Sequence, residues 1–242
     1  MDANADEVMD SAREGSRAYE WEDYDKARRL FRIAADQGNT WAQSWLGFMH
    51  EEGRGVEKDH AEACRLYRLT ADQGYAWAQC SLGLMHKEGR GVEQDYAEAC
   101  RLFRMAADQG DPRAQSWLGF MHEEGLGVEK DHAEAFRLYR LAADQGHAWA
   151  QYRLGLMYDE GHGVGQDYAE ALRLYQLAAD QGYAWAKRKL RGSVEKLRKL
   201  GIKYEFGHGA EQNTLKARYF YELAASQGDT FSQDALRLMG TE

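Results

Sequence analysis

Residues 39–74 read NTWAQSWLGFMHEEGRGVEKDHAEACRLYRLTADQG, and residues 75–110 repeat them as YAWAQCSLGLMHKEGRGVEQDYAEACRLFRMAADQG. The closing Asp-Gln-Gly falls at Asp36, Asp72, Asp108, Asp144 and Asp180, a constant spacing of 36 residues. A fixed period of this length marks stacked supersecondary units, none of which buries its apolar face alone. Within the unit, Trp41, Ala42, Trp45, Leu46, Phe48 and Met49 follow a helical period. Gly53-Arg54-Gly55 ends that helix, one glycine suiting the left-handed cap and the second freeing the turn. Asp59 is placed to cap a second helix, with Glu62 three residues on. This capping-box-like pair returns at Asp95/Glu98, Asp131/Glu134 and Asp167/Glu170. The second helix carries Ala63, Leu66, Tyr67 and Ala71 and stops at Gly74. Each unit is predicted to be a helix-turn-helix.

Working outward, the register breaks once. Leu200-Gly201 restores the pattern ten residues late, so the sixth unit holds an insertion near 187–196. Two readings stay open: a longer first helix, or one broken at Gly192-Ser193. From Lys187 to Lys203 stand eight basic residues and one acid, the only such run in a chain of net charge −9. The insertion reads first as a solvated helix, and secondly as a docking site for an acidic partner or phosphate groups.

The net charge argues against general nucleic-acid binding and favours basic partners. A single proline, Pro112, leaves nearly the whole chain free to be helical. Neither an apolar run of membrane-spanning length nor the basic, then apolar, opening of a secretory signal is visible, so a cytoplasmic protein without membrane contact is expected. Cys64 and Cys100 share one repeat position, about 10 Å apart in a helix stack. A disulfide needs Cα atoms within about 7 Å, so reduced, buried thiols are expected.

The pattern Ala-Gln-x-x-Leu-Gly-x-Met-His/Tyr-x-x-Gly-x-Gly-Val-x-x-Asp-Tyr-x-x-Ala, closing on Ala-Ala-x-Gln-Gly, resembles the Sel1-like repeat, a relative of the tetratricopeptide repeat. The likeness covers about residues 23–228. It implies an all-α, right-handed α-solenoid of stacked helix-turn-helix repeats running from 1 to 242. Residues 1–38, with Gly15, Tyr19, Asp23 and Phe31, look more like a tetratricopeptide unit and read as an N-terminal cap. Regular repeats follow at 39–74, 75–110, 111–146 and 147–182; the repeat at 183–228 carries the insertion, and 229–242 reads as a C-terminal capping helix.

In tetratricopeptide repeats certain first-helix positions line the concave surface. The resemblance carries them onto Trp41, Ser44, Phe48, Glu51 and Glu52; Trp77, Cys80, Leu84, Lys87 and Glu88; Arg113, Ser116, Phe120, Glu123 and Glu124; Trp149, Tyr152, Leu156, Asp159 and Glu160; and Trp185. Spacing of three and four residues independently puts each set on one helix face. The implied site is a Trp-lined, acidic groove for a peptide or protein of basic character, with energy concentrated in the aromatic anchors. Packing of the same tryptophans between repeats is the competing reading, stronger for Trp45 and Trp117.

The remaining motifs read as structure. His50, His86 and His122 lie one repeat apart, about 10 Å, too far to share an ion whose ligands sit at about 2 Å, so packed and hydrogen-bonded rings are expected. The Gly-x-Gly turns have no preceding strand and are not phosphate loops. Ser193-Val194-Glu195-Lys196 matches a serine acyl-transfer motif but lacks its companion motifs. The sequence therefore predicts a non-catalytic interaction scaffold without cofactor or metal. A self-associating structural scaffold is the alternative, followed by acidic-ligand or nucleic-acid binding through 187–203.

Overall fold

Thirteen helices and no strand are found among the described residues, 3–240, of the computed structural model. The outermost residues of the two predicted capping units, 1–2 and 241–242, lie outside them. The helices pair along the chain as α1 (Ala3–Glu20) with α2 (Tyr24–Asp36), α3 (Thr40–Glu52) with α4 (His60–Ala71), and α5 (Ala76–Glu88) with α6 (Tyr96–Asp108). Then come α7 (Pro112–Glu124), α8 (His132–Asp144), α9 (Ala148–Glu160), α10 (Tyr168–Asp180), α11 (Ala184–Phe206), α12 (Thr214–Ser226) and α13 (Thr230–Met239). The chain divides into two units, residues 1–138 and 139–242, the division falling within α8. In each unit the helices stack in chain order, α1 through α7 in the first and α9 through α13 in the second, as an α-solenoid.

Local chemistry sets the helix ends. Asp59 accepts a hydrogen bond from the Glu62 amide at 3.0 Å, and Asp95 does the same for Glu98 at 2.9 Å. The reciprocal half of the expected capping box is absent. The Asp59 N–H donates instead to the His50 carbonyl at 3.0 Å, so the cap's own donor is satisfied by the preceding helix. The Glu62 carboxylate is thereby released to grip Arg65 with two bonds of 2.7 Å, and Glu98, Glu134 and Glu170 hold Arg101, Arg137 and Arg173 likewise. One bond ties the two helices of a repeat together; the other reinforces the second helix.

Both glycines of each turn are left-handed, as at Gly89 (φ +68°) and Gly91 (φ +70°). The second does more than free the turn. A Cβ on Gly91 would lie 2.3 Å from the carbonyl oxygen of His60, at the start of the preceding repeat's second helix. Backbone packs on backbone there, which only glycine permits. At Gly209, beyond the insertion, nothing lies within 4 Å, so the last repeat lacks this contact.

Inside the stack, Phe31, Tyr67, Phe103, Tyr175 and Tyr221 are fully buried, with methionines Met49, Met85, Met121 and Met157 beside small alanines. The aromatic rings press on helix glycines: a Cβ at Gly201 would fall 2.4 Å from Tyr221. Helix α11 settles the question left open at Gly192-Ser193. It runs unbroken for 23 residues, ten more than the 13-residue α9. At about 1.5 Å per residue it projects roughly 15 Å further.

Candidate functional site

In the first unit the predicted anchors form one ring network. Trp45 stacks on Phe31 (5.5 Å, 7° between planes) and meets Trp41, Phe48 and Tyr19. Trp77, from the next repeat, closes on Trp45 at 5.4 Å and Phe48 at 6.1 Å. Trp41, Phe48 and Trp77 are half-buried, so each ring both spaces the repeats and keeps an open edge; Leu84 is half-buried as well. In α7 the half-buried Phe120 meets Trp117 at 5.8 Å. Arg113 is held by Asp111 at 2.9 Å, and the Lys87 ammonium sits 4.5 Å over the Trp117 ring.

Several predicted positions do not face outward. Ser44 is fully buried and donates to the Thr70 hydroxyl at 3.0 Å; Cys80 and Ser116 are buried as well. These small residues are the seats on which neighbouring helices rest.

The acid row is largely committed to the protein itself. Glu51 accepts the buried Tyr67 hydroxyl at 2.9 Å and pairs with Arg90 at 2.9 Å. Arg90 in turn holds Glu88 at 2.7 Å, and Lys87 reaches the same carboxylate at 3.3 Å. Glu205 takes the Tyr221 hydroxyl in the same way, at 2.6 Å. The third repeat replaces both members at once, with Lys87 and Phe103. The glutamates at Glu51 and Glu205 are thus each the partner of a buried phenol. All four members of the neighbouring row, Glu52, Glu88, Glu124 and Glu160, are exposed. Tyr67→Phe is expected to lower stability by about 1.5 kcal/mol in urea unfolding, since the bond is buried and charge-assisted. A change below about 0.3 kcal/mol would contradict that assignment.

In the second unit Trp149 is half-buried against Tyr139 (6.3 Å), and Tyr152 meets Tyr183 at 5.3 Å. Asp159, expected to face a basic ligand, is instead 2% exposed. Lys189 and Lys196 of α11 hold it at 2.9 and 2.8 Å. Burial alone would raise its pKa; the two ammonium groups outweigh that and lower it. Aspartate is one methylene shorter than the glutamate of other repeats, and the buried Tyr175 hydroxyl is left without a hydrogen bond. Trp185, at 59% exposure, is the most open of the predicted anchors.

The histidines also depart from expectation. His50, His86 and His122 are half-buried, but each keeps a buried Nδ1 without a hydrogen-bond partner. Among the described residues no three His, Cys, Asp or Glu side chains are grouped to hold a metal ion. Burial raises the thiols of Cys64 and Cys100 to about 11 and that of Cys80 to about 12, so all three stay protonated and unreactive at neutral pH. No helix among the described residues is long and apolar enough to cross a membrane.

Comparison with known proteins places these features. The family model for the Sel1 repeat matches residues 14–39, 42–75, 78–111, 112–147, 150–183 and 197–229. The first match takes in most of the unit expected to be tetratricopeptide-like. The chain is 34% identical to a protective antigen present in uropathogenic Escherichia coli strains that displays an SLR fold, with TM-score 0.69, over 97% of this chain and 49% of that one. It thus spans about half of that protein's length. A Sel1 repeat protein from Oxalobacter formigenes is 35% identical, TM-score 0.69, over 91% and 86% of the two chains. An immunity protein from Pseudomonas aeruginosa, 21% identical with TM-score 0.53 over 93% and 83%, shares the fold. No curated protein matches the chain. Repeat proteins of this kind generally mediate protein–protein interaction and are generally non-catalytic. With six matched repeats and the helix pairs that go with them, the chain belongs to the Sel1 repeat family.

Proposed function

We propose that the chain is a non-catalytic interaction adaptor that engages a protein partner on the aromatic faces of its first helices. The observation behind this reading is the set of half-buried rings with open edges, Trp41, Phe48 and Trp77 in the first unit and Trp149 and Tyr152 in the second. Such rings offer large apolar area that is already ordered, which is how interface energy concentrates. Preference for a basic partner would rest on the exposed Glu52, since Glu51 and Asp159 are bound internally.

The test is affinity capture from the source cells, followed by titration of the captured partner against a Trp77→Ala/Trp149→Ala variant. Each substitution is expected to remove on the order of 2 kcal/mol of binding, about thirty-fold in Kd. Trp77 also packs against Trp45, so the comparison is made at a temperature where circular dichroism shows both chains fully helical. A partner bound equally by both would overturn the reading. Capture of nothing but the chain itself, with a doubled mass in light scattering, would favour self-association.

A further inference from the structure

The long helix α11 forms one wall of an open cleft within the insertion. In the regular first helices Phe48-Met49, Leu84-Met85, Phe120-Met121 and Leu156-Met157 precede the closing turn, and their counterparts in α11 are Ile202-Lys203. Gly192-Ser193 fall among the inserted residues, and neither carries a bulky side chain. The space is an open cleft of about 430 Å³ lined by Tyr152, Asp159, Trp185, Arg188, Lys189, Gly192, Ser193 and Lys196.

Its chemistry is distinct. Ser193, one of the lining residues, is 7% exposed, and its Oγ is buried with no hydrogen-bond partner. A buried, unpaired hydroxyl is destabilising unless something supplies the bond. Three cations stand here against the one buried carboxylate. Lys189 and Lys196 share Asp159, while Arg188 lies 5.9 Å over the exposed Trp185 ring. The cleft thus combines a surplus of positive charge, a flat aromatic wall and an idle hydroxyl. Each of these suits an anionic group attached to an apolar body.

We infer that this cleft is a docking pocket for an acidic segment of a protein partner, taking a carboxylate side chain beside an aromatic or aliphatic one. The inference rests on reading the chain as a protein-binding module, and adds that the second unit selects for a charge opposite to that expected from the chain's net charge. The carboxylate meets Arg188 and the two lysines and accepts from Ser193, while the neighbouring apolar side chain lies on Trp185.

The experiment titrates the full chain, its tryptophan indoles labelled with ¹⁵N, with a capped Glu-Glu-Phe-Glu-Glu peptide and with its lysine counterpart. The Trp185 signal is assigned by Trp185→Phe. A saturable shift of that signal by the acidic peptide only, weakening with salt, is expected. Gly192→Leu and Ser193→Met each place a bulky apolar side chain at the cleft. A Cβ at Gly192 meets nothing within 4 Å, so the first of these is compatible with the fold, and its thermal midpoint verifies this. Both variants are expected to weaken the acidic peptide at least tenfold, and Asp159→Asn, which releases two lysines, to tighten it several-fold. Equal response to both peptides, no shift at Trp185, or native affinity in a folded Gly192→Leu chain would overturn the inference. So would inorganic phosphate reproducing the shift with the peptide no better, which would make this a phosphate site. Loss of the cellular partner in Trp77→Ala/Trp149→Ala together with no peptide binding sinks the pocket alone. Peptide binding lost in Gly192→Leu sustains the pocket whatever the tryptophan variants do.

Discussion

Gly91→Ala is expected to lower stability by about 3 kcal/mol, while Gly110→Ala lowers it by about 1 kcal/mol. Both glycines are left-handed, with φ of +70° and +89°. Any side chain therefore meets a backbone penalty of about 1–2 kcal/mol at either position. At Gly110 nothing lies within 4 Å, so the penalty ends there. At Gly91 the new Cβ would stand 2.3 Å from the His60 oxygen, 2.4 Å from its carbon and 2.8 Å from the Ala61 nitrogen. Those atoms begin α4, which is fixed by the Asp59 cap, so they cannot swing aside as the end of a long side chain could. The two repeats must part, and in a stack held by nearest-neighbour contacts that separation weakens the whole interface. Urea unfolding of the two variants decides the matter. Equal losses would show that the second glycine of the turn serves conformation only, and that close backbone contact does not set the repeat spacing.

The repeat period made the helix pairs, the caps and the place of the insertion legible, because each depends on local chemistry renewed every 36 residues. What stayed hidden depends on which side chain meets which across the stack. The acid at Glu51 looks like ligand chemistry until Tyr67 is found beneath it, sixteen residues on. The signal was present: Asp159 and Glu205 have Tyr175 and Tyr221 at the same distance, while Lys87 has Phe103. Ser44 likewise stands opposite Thr70, where the later repeats place Ala106, Ala142 and Ala178, and the pair forms one buried hydrogen bond. The cleft on α11 lies at the insertion, where the repeat supplies no equivalent positions, and a search for recurring motifs passes over it. The half-formed capping box was illegible for another reason. The donor that Glu62 was expected to bond had already been taken by the His50 carbonyl, a contact between helices that the second helix's own sequence does not contain.

Trp45→Ala should destabilise the first unit by about 3–4 kcal/mol without any partner present, whereas Trp185→Ala should change stability by less than about 0.5 kcal/mol. Trp45 is the hub of its network. Phe31 lies parallel to it at 5.5 Å, Tyr19 and Trp77 close on it at 5.0 and 5.4 Å, and Trp41 and Phe48 stand edge-on at 5.8 and 5.7 Å. Removing the indole opens a void among five rings from three successive repeats, and rings of that size do not collapse into it. Trp45→Phe should cost far less, because it keeps most of the stacking and discards an indole N–H that is buried with no hydrogen-bond partner. Trp185 has no such surroundings; more than half of its surface faces solvent. Differential scanning calorimetry of the three variants therefore sorts the tryptophans physically. A large loss at position 45 with little at 185 identifies the first as the joint between repeats and leaves the second free for a ligand. A loss below about 1 kcal/mol in Trp45→Ala would mean that the ring cluster contributes little to the stack, and its aromatic content would then call for a binding role at Trp45 as well.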